Sequence, residues 1–155
     1  MTRVWKLHAA LPVSFLCTLC LTILISPHAS AQDSAVGKLV IAISGLETDR
    51  GFMRVALMNS ADSFENDTET FRTAKVKVLD GNATAIFSDV PFGSYAVKAY
   101  HDENSNEKLD TNFVGFPTEA FGFSNDALGR FGPPSFEQAR FELASLQQQI
   151  EIHTK

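Results

Sequence analysis

After residue 31 this chain of 155 residues contains no cysteine and no tryptophan; Cys17, Cys20 and Trp5 all lie ahead of that point. No disulfide can staple the chain beyond residue 31, so a fold there must rest on a buried core. The chain has no zinc-ligand motif, no glycine-rich phosphate loop and no Gly-x-Ser-x-Gly nucleophile elbow. It has no internal repeat and no low-complexity tract. Basic residues are scarce too: past residue 31, 11 Lys and Arg stand against 18 Asp and Glu, a net charge of −7. That balance disfavours nucleic acid and anionic membranes as partners.

The first 31 residues carry a three-part pattern. Arg3 and Lys6 supply positive charge, Ala9 to Ile25 is almost wholly apolar, and Ala29-Ser30-Ala31 offers small residues for cleavage. This predicts a cleavable export signal over 1–31 and a periplasmic or extracellular destination. Pro12 interrupts the apolar run and no charged stop-transfer cluster comes after it, so no membrane span is expected after cleavage. A flexible leader is expected over 32–36 and a single domain over 37–155. About 124 residues remain, enough for one real core.

Short alternating runs dominate the remainder. Leu39, Ile41 and Ile43 recur at every second position, as do Met53, Val55 and Leu57. The pattern recurs at Val76 and Val78, at Ala83 to Phe87, and at Tyr95, Val97 and Ala99. Glu47 to Gly51 and Asp80-Gly81 read as hairpin turns. The alternation at 139–143 and 150–153 predicts a closing hairpin. About seven short strands with little helix predict an all-β fold. Each sheet then has one apolar face to bury, which favours an antiparallel β-sandwich, immunoglobulin-like or prealbumin-like. The stretch from Phe113 to Phe136 fits no period and carries six phenylalanines among glycines and prolines. It is expected to be an ordered long loop, either a lid on the core or a ligand or partner surface.

One stretch has the composition of a metal loop. Asp102, Asn104, Asn106 and Asp110 fall at relative positions one, three, five and nine, with the Lys108 carbonyl at seven. Such alternate oxygen donors suit calcium, a hard cation that takes about six to eight oxygens. Position six is Glu107 where an EF-hand loop has glycine, and position twelve is Phe113 where it has glutamate. Glu119 or Glu103 would have to close the site. The competing expectation is an Asx-turn loop whose Asp and Asn side chains cap backbone amides. His101, beside Asp102 and Glu103, is the one candidate metal ligand or general base for a hydrolase.

Taken together, several strings resemble a known family. They are Gly93-Ser94-Tyr95-Ala96-Val97, His101-Asp102-Glu103-Asn104 through Leu109-Asp110, Gly115-Phe116-Pro117-Thr118-Glu119, Gly122-Phe123-Ser124-Asn125 and Pro133-Pro134-Ser135-Phe136. In this order they resemble a bacterial family of exported proteins known as domain of unknown function 2141, over nearly all of the chain past the signal. The family pattern has glycine where this chain has Ser105 and Glu107. The resemblance implies no activity and no catalytic residues. The Gly-x-Tyr strand is also similar to prealbumin-like and carboxypeptidase-regulatory-like sandwiches, which serve as binding or structural modules. The expectation is therefore an exported, non-enzymatic envelope module with an unknown ligand or protein partner and a calcium-steadied loop. A metal-dependent hydrolase using His101 and its neighbouring carboxylates is the alternative.

Overall fold

The computed structural model describes residues 35–155; the predicted signal lies outside the described residues. Eight strands form two sheets. Strands β1 (Val36–Ser44), β4 (Asn82–Pro91) and β8 (Gln147–His153) make a three-stranded sheet in the order β4-β1-β8. The second sheet runs β3 (Arg72–Val76), β2 (Phe52–Met58), β5 (Gly93–Asp102), β6 (Phe121–Phe123). Strand β7 (Phe141–Leu143) joins it by pairing with the start of β5. The expected sandwich is present, and β1 begins at Val36, one residue ahead of the predicted domain edge.

Period-two alternation decides what each layer buries. Leu39, Ile41 and Ile43 of β1 and Ala83, Ala85 and Phe87 of β4 face Met53, Val55 and Leu57 of β2 and Tyr95, Val97 and Ala99 of β5 in one core. A second, smaller cluster lies on the opposite face of the five-stranded sheet. There Met58 and Ala96 are covered by Phe64 from α1 (Ala61–Asn66) and by Phe136 and Ala139 from α2 (Phe136–Ala139). Ser60 caps α1 and a Ser135–Gln138 capping box starts α2, so each short helix has its first amides satisfied. These helices cover one end of the outer face and leave the rest open.

Three connections differ from the hairpins expected. Glu47 to Gly51 joins β1 to β2 across the sandwich, because the two strands belong to different sheets. Asp80-Gly81 does form the tight turn, with Leu79 and Asn82 exchanging backbone bonds of 2.8 and 3.0 Å. Yet β3 and β4 then diverge into opposite layers. Strands β7 and β8 do not pair with each other: β7 lies against β5, and β8 runs parallel to β1. Leu143 and Ile152 thus enter the core from opposite sheets, each fully buried. Parallel pairing of β8 covers an edge of β1 that an adjacent hairpin would have left open.

Phe113 to Phe136 is not one lid. It contains β6, a tight turn at Ser124–Asp126 and the start of α2. Phe136 is buried and Phe121 and Phe123 are half-buried, whereas Phe113 and Phe131 are 99% and 98% exposed. Strands β6 and β7 share one edge of β5 end to end. Ser124, fully buried, bridges the gap between them: its hydroxyl accepts from the Val97 amide at 2.9 Å and donates to the Ala139 carbonyl.

Candidate functional site

The Asp102 to Asp110 loop continues directly from β5. Gly51, at φ +67, lets the chain pass against the backbone of Asp102 and Glu103, where any Cβ would collide with the Asp102 carbonyl. The Asp102 carboxylate is fully buried and accepts from the Asn106 amide at 2.9 Å, the Glu107 amide at 3.2 Å and Arg54 Nε at 2.9 Å. Asn104 and Asn106 accept from the amides of Asn106 and Lys108, and their side-chain Nδ2 groups both donate to Asp110. Glu119 closes the base by accepting from the amides of Glu103 and Asp110. The structure therefore gathers Asp102, Asn104, Asn106 and Asp110, with Glu119 beneath. Their donors and acceptors meet one another and the backbone, as an Asx-turn loop requires. Lys108 contributes its amide to this network. Among the described residues, no group of three or more His, Cys, Asp or Glu side chains is placed to hold a metal ion.

Arg54 dominates the electrostatics of this loop. Burial works against the Asp102 carboxylate, but Arg54 and the two amides outweigh it and hold its pKa below the ordinary value. The hydrogen bond from Arg54, 2.8 Å away, lowers Glu107 in the same direction, and the same bond raises the pKa of Arg54.

His101 faces the other way. It continues the row of Tyr95, Val97 and Ala99 on the inner side of β5, and it is fully buried. Its Nε2 donates to the Arg50 carbonyl at 2.7 Å. Its Nδ1 has no hydrogen-bond partner, and Glu103 stands 3.8 Å away. Its neighbouring carboxylate Asp102 points to the opposite face, toward Arg54.

The open part of the outer face was not among the sites expected from sequence. Two cross-strand rows run over it in register. One is Lys75, Arg54, Tyr100, Phe121; the other is Thr73, Ala56, Lys98, Phe123. Ala56 is the one small side chain among longer ones, and a groove of about 550 Å³ opens over it. Leu109 and Pro133 line its edges, together with Asp67 and Thr70. The Asx loop is tied to this floor, since the Tyr100 hydroxyl donates to the Glu107 carbonyl at 2.9 Å. Burial raises the pKa of Tyr100, so the hydroxyl stays a donor. A signal for this site was present in the polar positions of β2 and β5: Arg54 on β2, and Lys98 and Tyr100 on β5, alternate with core residues and so face away from the core.

The family model described as an uncharacterized protein conserved in bacteria matches residues 41–151. No curated protein and no solved structure matches the chain. The match takes in both sheets, the Asx loop and every strand that floors the groove. The chain therefore belongs to the bacterial family known as domain of unknown function 2141.

Proposed function

We propose that this chain is an exported, non-enzymatic binding module of the bacterial envelope, and that its ligand lies on the outer face of the five-stranded sheet. The hollow over Ala56 carries this reading. It combines an aromatic wall with a few convergent polar groups, the usual make-up of a small-molecule site, and its volume of about 550 Å³ falls in the usual range. The floor is rigid because it consists of paired strands, and the Asx loop holds one rim. Export rests on the charge, apolar run and small residues of 1–31. A hydrolase working through His101 draws no support from a ring closed into the core.

Backbone amide NMR of the purified protein against a fragment library tests the site. The shifts expected are those of residues 54–58, 73–75, 98–100 and 121–123. Shifts confined to another surface, or none, would overturn the reading. Expression of the full chain in a bacterium tests the address: the exported fraction should begin at Gln32, and an uncleaved cytoplasmic product would count against export.

A further inference from the structure

Building on the groove reading, we infer that the ligand is a neutral saccharide. The first argument is charge. Three cations line the groove, Arg54, Lys75 and Lys98. Arg54 is held by Asp102 and Glu107, and Lys98 by Asp67 at 2.6 Å. Three carboxylates thus stand against three cations, and of these cations only Lys75 lacks an ion pair among the described residues; its Nζ lies 4.1 Å from the centroid of the Phe52 ring. An anionic ligand would have to compete with carboxylates already in place, so the groove offers no net charge to draw one in.

The second argument is the distribution of surface. Phe121 and Phe123 form one wall, their rings 6.0 Å apart edge to face, and Phe64 backs Phe123 at the same distance. The floor opposite carries Thr73, Arg54 and Lys98, with Asp67 and Thr70 at the side. A hydrocarbon ligand would cover the aromatic wall but strand these charged groups away from water, which costs free energy. A sugar ring suits both halves. Its C–H face packs on an aromatic ring, and its hydroxyls, each donor and acceptor, meet carboxylate, guanidinium, ammonium and threonine groups fixed in one array. The ion pairs hold those side chains in place beforehand, so little rotamer entropy remains to be lost on binding.

Calorimetry with soluble cello-, chito- and malto-oligosaccharides, beside a medium-chain fatty acid, tests the assignment on the purified full-length product. At least one neutral oligosaccharide should bind saturably. Its Kd should be the same at about 0.05 and about 0.5 M salt, since a neutral ligand has no charge to screen. Phe123→Ala should weaken binding about tenfold, as loss of a central aromatic contact does. Thr73→Trp, which fills the hollow from an exposed edge-strand position, should abolish it while leaving the circular dichroism spectrum intact. Fatty-acid binding that Thr73→Trp removes, with no saccharide bound, would overturn the saccharide assignment and leave the groove reading standing. Saccharide binding indifferent to Thr73→Trp, or no binding by any probe, would overturn both.

Discussion

Asp102 joins two parts of the molecule, with Arg54 from β2 on one oxygen and the amides of its own loop on both. Asp102→Ala would leave Arg54 Nε and two amides without their acceptor, at a cost of about 2–4 kcal/mol in urea unfolding. The lowered pKa of Asp102 sets the sign of its pH dependence, and Glu107 behaves alike. The unfolded chain takes up protons at about pH 4, before the folded carboxylates do. The stabilisation is therefore complete above that range and is lost as the pH falls through the folded values. Asp102→Asn removes this titration, so its stability curve should converge with that of the parent chain on acidification; parallel curves would show the ion pair to be inert. Ser105 and Glu107 sit at φ 61 and 67, the left-handed region where side chains are strained. Ser105→Gly should raise stability by about 0.5–1 kcal/mol, whereas Glu107→Gly relieves the same strain but loses Arg54, so no gain is expected. Thermal melting in calcium against chelator tests the calcium expectation: a gain of about 2.7 kcal/mol at a hundredfold excess over Kd would support Asp102, Asn104, Asn106, Lys108 and Asp110 as a calcium site, and identical curves would leave a loop closed by its own amides.

Among the elements, β5 organises the rest. It pairs with β2 along one edge and with β6 and β7 in succession along the other. Neither short strand reaches Val97, and Ser124 supplies the missing acceptor there. Ser124→Ala would leave the Val97 amide and the Ala139 carbonyl buried and unpaired. It should cost about 2–4 kcal/mol by chemical denaturation, well beyond what a hydroxyl deletion costs at the surface. A loss below about 0.5 kcal/mol would mean that another group takes over the joint. The alternation of β5 was legible in sequence, and it extends to His101: the face that holds Tyr95, Val97 and Ala99 holds His101 as well. That face is the core, which is why the histidine closes inward while Asp102, one residue on, reaches Arg54. Hairpin turns were less informative. The Asp80-Gly81 turn forms from local backbone preference alone, but local preference does not decide which sheet each flanking strand will join.

For the molecule as a whole, the aromatic surface divides into parts with different roles. Phe121 and Phe123 wall the groove, Phe136 anchors α2 in the smaller core, and Phe113, Phe116 and Phe131 stand in solvent on loops. Replacing the two most exposed rings, Phe113→Ser with Phe131→Ser, should leave unfolding stability within about 0.5 kcal/mol of the parent. A larger loss would return these rings to a structural role. The sequence by itself determined most strand positions, though not β6, together with the two-layer class, the absence of cysteine past residue 31, the family and the composition of the Asx loop. Each of these depends on alternation, turn chemistry or residue type within a short stretch. Tertiary structure alone decided the pairing of β8 with β1, the division of Phe113 to Phe136, and the groove. Thr73, Ala56, Lys98 and Phe123 come from four strands, and only the order β3-β2-β5-β6 sets them side by side. A hollow above one small side chain exists only when larger neighbours from other strands surround it, and that arrangement is a property of register rather than of any single segment.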